Sequence, residues 1–265
     1  MRLKNKVVLI TASTRGIGLA CVKLCAKEGA TVYMGARNME LATSIAGDLN
    51  KEGLNVKCVY NDATKDETFH TMIEEIIKNE GRIDVLVNNF GTSNTSKDLD
   101  FINTKIEDYL EIININLKSV FLASQEAVKH MKNQDGGSII NISSIGGIVP
   151  DISQVAYGTS KAAINYLTKL IAVQGAKNNV RCNAVLPGMT QTEALENNLT
   201  DDFRKFFLKH IPLKKIGLPE EIAQAVVYFA SDESLYTTGQ ILAISGGFGL
   251  ATPIYGDLAN SRIKR

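Results

Sequence analysis

Tyr157 and Lys161 stand four residues apart in Tyr157-Gly158-Thr159-Ser160-Lys161. On a helix, residues i and i+4 share a face, so this spacing sets a phenol beside an ammonium. A neighbouring cation favours phenolate over phenol and lowers the tyrosine pKa toward the range where a side chain exchanges protons with a substrate. Thirteen residues before Tyr157, Ser144 closes the run Ser138-Ile139-Ile140-Asn141-Ile142-Ser143-Ser144. That run reads as a buried strand with hydroxyls at its carboxyl end, where open α/β sheets hold their ligands. Taken alone, a Tyr-x-x-x-Lys pair is a solvated helix face. The elements around it decide.

The residues after Lys161, AAINYLTKLIAVQGAK, repeat apolar positions at helical spacing and predict a long helix. At the other end of the chain, Val7–Thr11 is a short apolar β run leading into Ala12-Ser13-Thr14-Arg15-Gly16-Ile17-Gly18, and a helical pattern continues through Gly29. Strand, small-residue loop and helix together present unpaired N–H groups and a positive dipole end, which suits a pyrophosphate. The next strand, Ala30–Ala36, ends in Arg37 with no acid between Tyr33 and Met39. An acid there would hold the ribose hydroxyls of NAD. Arg37, with Arg15 from the preceding loop, suits the 2′-phosphate of NADP instead.

Helix Glu40–Glu52, strand Asn55–Tyr60 and helix Glu67–Glu80 continue the alternation. Asp62, in Asn61-Asp62-Ala63-Thr64, either accepts from an adenine amino group or caps the following helix. Strand Ile83–Val87 runs into Asn88-Asn89-Phe90-Gly91, and Thr104–Phe121 reads as one helix containing Asn114 and Asn116. Asparagine weakens a helix interior, so one of these two has a hydrogen-bonding task. After strand Val180–Leu186 comes the turn Pro187-Gly188-Met189-Thr190-Gln191-Thr192. The excursion that follows carries Leu195, Leu199, Phe203, Phe206, Phe207, Leu208 and Ile211, and reads as a substrate lid over 188–216. Pro219 with Glu220 and Glu221 opens a further helix. Strand Gln240–Ile244 and a tail at 249–265 complete the chain. Seven strands alternating with helices, without repeat or linker, predict one α/β domain built as a Rossmann-like, doubly wound parallel sheet with helices on both faces.

A net charge of +1 gives no reason to expect nucleic acid or an anionic membrane as partner, and no stretch approaches the length of a membrane span. The four cysteines, Cys21, Cys25, Cys58 and Cys182, form no CxxC pair and read as buried thiols in a reducing compartment. The three histidines lack ligand spacing, so no metal is expected. These features predict a soluble, cytoplasmic protein.

In order along the chain, TASTRGIG, NDAT, NNFG, Asn116 within NINLKS, Ser144, Tyr157-x-x-x-Lys161, PGMTQT and GLPEEIA resemble the short-chain dehydrogenase/reductase family, from Val7 to Gly247. The resemblance implies Tyr157 as acid/base, Ser144 (with Ser143 the neighbouring alternative) as holder of the substrate oxygen, Lys161 as ribose ligand and depressor of the Tyr157 pKa, and Asn116 as holder of a relay water. It further implies that Ser13, Arg15, Gly16, Ile17, Gly18, Arg37, Asp62, Ala63, Asn89, Gly91, Thr190 and Thr192 bind NADP together with Tyr157 and Lys161. Two positions depart from the family pattern: Ala12 replaces a glycine, and Phe90 sets an aromatic beside the cofactor. The family is commonly tetrameric through the Tyr157 helix and the helix before it, which implies a homotetramer.

Within the family, VPDISQVAYGTSKAAIN, RCNAVLPG, TEALENNLTDDFRKFFLKHIPL and GGFGLATPIYGD are similar to bacterial NADP-dependent 7α-hydroxysteroid dehydrogenases. That similarity implies a bile-acid-like steroid substrate. The alternative is a 3-oxoacyl-thioester reductase, whose acidic carrier protein would dock on Lys205, Lys209, Lys214 and Lys215. A catalytically silent dinucleotide sensor would require a broken tetrad, whereas Asn116, Ser144, Tyr157 and Lys161 are all present.

Overall fold

Strands β1 (Val7–Thr11), β2 (Thr31–Ala36), β3 (Val56–Tyr60), β4 (Val85–Asn88), β5 (Gly137–Ile142), β6 (Val180–Pro187) and β7 (Ile241–Ile244) form one sheet in a computed structural model that describes residues 1–196, 200–252 and 254–260. The inner strands are near-continuous apolar runs, as strands covered on both faces must be. All pairings are parallel, in the order β3-β2-β1-β4-β5-β6-β7. The order reverses between β1 and β4, and the crevice beyond their carboxyl ends is where such sheets bind ligands.

Strand alternation sorts the core into two layers. On one face Val8, Ile10, Val32, Val85 and Val87 pack beneath α1 (Gly16–Lys27), α2 (Met39–Lys51) and α9 (Pro219–Ala230). On the other, Val7, Leu9, Tyr33, Leu86 and Ile139 meet α3 (Glu67–Glu80), α5 (Ser119–Met131) and the end of α6 (Val155–Gly175). Each such aliphatic or aromatic side chain contributes about 1.5–3 kcal/mol of transfer free energy. Cys21, Cys25 and Cys182 are fully buried, and desolvation pushes the Cys25 thiol up to about 12. These thiols are packing residues. Among the described residues no cluster of His, Cys, Asp or Glu could hold a metal, and no helix is long and apolar enough to cross a membrane.

The stretch expected as one helix over Thr104–Phe121 differs. It comprises α4 (Ile106–Ile113), a π-helical turn (Asn114–Lys118) and α5, which runs on to Met131 because no breaker follows Phe121. The lid contains two short helices, α7 (Glu193–Glu196) and α8 (Asp201–Leu208), and the tail carries α10 (Tyr255–Asn260). Leu199 of the expected apolar set and tail residues 261–265 lie outside the described residues.

At the exit of β1, Ala12 takes φ 50°. A Cβ in this left-handed region costs about 1–2 kcal/mol, which glycine avoids. The loop therefore carries local strain at the position where the sequence departs from the family pattern. Ala12→Gly is expected to raise unfolding free energy by about 1 kcal/mol in urea titrations. An unchanged or lower midpoint would show that Ala12 is unstrained.

Candidate active site

The helix that carries Tyr157 is tied to the sheet by Lys161. Its buried Nζ donates to the carbonyl oxygens of Ile142 at 2.9 Å and Phe90 at 3.2 Å, at the exits of β5 and β4. Burial pulls this ammonium down from 10.5 to about 8. Gly91 keeps this space open: a Cβ would stand 3.3 Å from Nζ and crowd it. One turn earlier on the helix, the Tyr157 ring centroid lies 5.7 Å from Nζ. Its phenol lies beside Ser144, whose hydroxyl draws the phenol pKa down and whose Oγ accepts from the Gly146 amide at 3.1 Å. Ser143 faces the other way: its Oγ donates to the Lys161 carbonyl at 3.1 Å.

Part of the Tyr157 ring remains accessible, yet enough protein surrounds the phenol that desolvation raises its pKa above 10.0. The neighbouring Ser144 hydroxyl pulls in the opposite direction and loses. This corrects the expectation that Lys161 depresses the phenol. The amine is turned onto two carbonyls, and its own burial weakens it as a cation. Phe90 needs a second correction. Its ring is buried edge-on against Phe69, with centroids 5.6 Å apart, so it packs in the core and only its carbonyl faces the site.

Asn116 occupies the π-helical turn and is fully buried. Its Oδ1 accepts from the Thr92 amide at 2.7 Å, while Nδ2 donates to the Thr92 carbonyl at 3.1 Å and to Ser160 Oγ at 3.0 Å. Ser160 in turn donates to the Tyr157 carbonyl at 2.7 Å. Thr92 and Ser160 are links that sequence reasoning missed. Asp98 is a third: its carboxylate accepts from the Ala156 and Tyr157 amides at 2.8 and 2.9 Å.

The other expected residues gather around the first loop. Asn89 Nδ2 donates to the Ala12 carbonyl at 3.0 Å, tying that loop to the β4 exit. A Cβ on Gly18 would lie 2.5 Å from Asn89 Nδ2, 2.8 Å from Ala12 O and 2.8 Å from Ser13 Cα. Gly16 has φ 53°, and a Cβ there would touch Thr192 Cγ2 at 3.4 Å, so the 188–192 turn closes over the loop. Thr190 is buried, bonds the Gly188 carbonyl at 3.1 Å and pairs with Gly217. Ile17 and Ala63 pack their side chains against the two core layers. Asp62 is not a helix cap. Its Oδ1 closes a turn by accepting from the Thr64 amide and hydroxyl, and Arg37 helps hold its carboxyl below 3.8.

Residues 11–249 match the family described as enoyl-(acyl carrier protein) reductase. A 7α-hydroxysteroid dehydrogenase of Clostridium sardiniense is 49% identical over 97% of this chain and 98% of its own. The chain belongs to the short-chain dehydrogenase/reductase family. A 3-oxoacyl-[acyl-carrier-protein] reductase of Thermotoga maritima is 42% identical over 93% of this chain and 99% of its own. Among solved structures, a 7α-hydroxysteroid dehydrogenase complexed with NADH and 7-oxoglycochenodeoxycholic acid superposes with a TM-score of 0.88. It is 29% identical and covers 93% of this chain and 95% of that one.

Short-chain dehydrogenases/reductases use a nicotinamide dinucleotide, and the first loop here fits one. Ser13 Oγ is buried without a hydrogen-bond partner, beside glycine cradles that any Cβ would fill. Arg2, Arg82 and Arg181 are bonded to neighbours, whereas Arg15 and Arg37 are exposed and, among the described residues, form no ion pair.

The Lys161 shift has a testable linkage. Below pH 8 both folded and unfolded chains hold this proton, and the burial penalty is fully present. Between pH 8 and 10.5 the unfolded chain holds more of it, so stability rises with pH. The unfolding free energy of wild type relative to Lys161→Met is expected to climb by roughly 3 kcal/mol across this window. Urea titrations at stepped pH showing a flat or falling difference would contradict it.

Proposed function

We propose that this chain is an NADP-dependent oxidoreductase that interconverts the 7α-hydroxyl and 7-oxo groups of bile acids. The observation that carries the reading is Tyr157 set between Ser144 and buried Lys161, at the carboxyl edge of the sheet. Bound NADP(H) supplies or accepts the hydride at the substrate carbon. Ser144 Oγ, held by the Gly146 amide, donates a hydrogen bond to the substrate oxygen. Tyr157 gives its proton to that oxygen as the carbonyl becomes an alcohol, and recovers it in the oxidising direction. Because burial raises the phenol pKa, the resting site holds this proton. Reduction finds its acid ready, while oxidation quickens as pH rises toward the phenol pKa. Lys161 holds the nicotinamide ribose. Asn116 Oδ1 keeps one lone pair beyond its Thr92 bond, which suits a relay water.

Arg37 and Arg15 bind the 2′-phosphate; Ser13, Gly16, Ile17, Gly18, Asp62, Ala63, Asn89, Gly91, Thr190 and Thr192 line the rest of the nucleotide. A steroid needs an apolar wall with few polar groups. Ile148, Ile152, Phe203, Phe206 and Leu250 stand exposed on the segments flanking the carboxyl edge, and exposed apolar clusters of this kind mark binding sites. The tail closes over Ile145 and Val149 at Gly249, where a Cβ would stand 2.6 Å from Val149 Cγ2. On the lid, Phe207 stacks on Phe248 at 4.7 Å, which leaves Phe203 and Phe206 for the steroid wall. The names of the relatives support the steroid over the thioester. So does the lid charge: Lys209 pairs with Asp257, Lys215 with Glu221, and Lys214 lies over the Tyr255 ring, so that among the described residues only Lys205 of the four lid lysines has no such partner.

The chain acts as a homotetramer in the cytoplasm on this reading. Ile113, Leu117, Phe121, Tyr166 and Leu170 line an apolar groove between α6 and the run from the end of α4 through the π-helical turn into α5, which a second copy would cover, and four free thiols suit a reducing compartment.

Chenodeoxycholate and cholate are expected to reduce NADP⁺, and ursodeoxycholate, with the opposite configuration at C7, to do so poorly. Tyr157→Phe should lower kcat by at least ~10²-fold with nucleotide binding kept. Equal turnover of both epimers, or turnover of oxoacyl thioesters alone, would reject the steroid reading. For the cofactor, Ala36→Asp with Arg37→Ala is expected to reverse a wild-type preference for NADP⁺ over NAD⁺. Steady-state kinetics in which wild type prefers NAD⁺ would overturn that assignment.

A further inference from the structure

The helix bearing Tyr157 has no cap of its own. Gln154, at its N-cap, takes φ 62° and ψ 48° and makes no side-chain cap bond. A helix start leaves four N–H groups without partners inside the helix. Here the four successive amides from Gln154 to Tyr157 all end on one distant dipeptide. Gln154 N donates to the Asp98 carbonyl at 3.2 Å and Val155 N to the Leu99 carbonyl at 3.4 Å. Ala156 N and Tyr157 N donate to the two carboxylate oxygens of Asp98, at 2.8 and 2.9 Å. The helix's own ladder takes over with Gly158 N, which bonds the Gln154 carbonyl at 2.9 Å. Asp98 is fully buried, so its charge has no solvent to fall back on. The same loop is gripped at its other end by Asn116, through both the amide and the carbonyl of Thr92.

We propose that Asp98 is a positioning residue for catalysis, fixing the first turn of the helix so that the Tyr157 phenol meets Ser144. This rests on the acid/base reading of Tyr157 given above. The argument is geometric. Tyr157 sits in the first turn, where a helix frays most readily, and its own amide is one of the two held by the carboxylate. A carboxylate accepting two amides is a strong, directional clamp. Letting that turn rotate moves the phenol away from Ser144 while Lys161, one turn deeper, stays anchored on two carbonyls. Among the described residues, no hydrogen bond or ion pair joins the nucleotide loop at the β1 exit to Asp98, Tyr157, Ser144 or Lys161. Loss of Asp98 should therefore fall on turnover and spare nucleotide affinity.

The test compares wild type, Asp98→Ala and Asp98→Asn. Turnover of chenodeoxycholate is normalised to NADPH-binding sites counted by fluorescence titration, so that a smaller folded fraction does not register as slower chemistry. Normalised kcat is expected to fall about 10- to 100-fold in Asp98→Ala, with the NADPH Kd within about twofold of wild type. In Asp98→Asn, one oxygen is replaced by a donor facing an amide, and a smaller loss is expected. Normalised kcat within about twofold of wild type in Asp98→Asn and in any folded Asp98→Ala overturns the proposal, as does a parallel loss of NADPH affinity. Should Asp98→Ala not fold, Asp98→Asn alone decides. Wild type that turns over no bile acid sinks the substrate reading instead, and the two failures are thereby distinct.

Discussion

The site depends on one contact: the ammonium of Lys161 taken out of water and held between the carbonyl oxygens of Phe90 and Ile142. Burying a charge is costly unless hydrogen bonds replace its hydration, and two carbonyls replace it only in part. The depressed pKa of about 8 records the shortfall. The arrangement joins the exits of β4 and β5 to the long helix. Ser143 reinforces it by donating to the Lys161 carbonyl. With that helix pinned, the Tyr157 phenol one turn away is carried to Ser144 on the β5 exit. The positions of Tyr157 and Ser144 thus follow from helical period and strand order, with one buried amine setting the registration.

The nucleotide crevice stores its own imbalance. Ala12 stands at a positive φ, and Ser13 Oγ is buried without a partner. An unsatisfied buried hydroxyl costs about 1–3 kcal/mol, recoverable when a ligand supplies the missing bond. Departures from local consistency concentrate at functional sites, and these two lie side by side at the start of the helix that would face a pyrophosphate.

Much of this was legible in residue order. Apolar runs separated by amphipathic stretches determine a doubly wound sheet, and the Tyr157–Lys161 spacing needs only helical geometry. Ser144 rather than Ser143 faces Tyr157 because successive residues leaving a strand point to opposite sides. What escaped the sequence is long-range. Phe90, just past β4, turns into the core, where Phe69 on α3 offers an edge contact. The π-helical turn at Asn116 is stabilised by Thr92, and the cap of the Tyr157 helix by Asp98, neither of which leaves a local signal. The direction of the Tyr157 shift was misjudged for the same reason. Spacing reveals the neighbouring cation but not that both groups are desolvated.

The buried Lys161 amine is the feature to measure first. In protein labelled with ¹³C at lysine Cε, the Lys161 resonance, assigned by its loss in Lys161→Met, is expected to titrate near pH 8, below the ordinary lysine value of 10.5. A Lys161 resonance titrating at the ordinary value would mean that the amine is solvated, and the account of how the site is held together would be wrong.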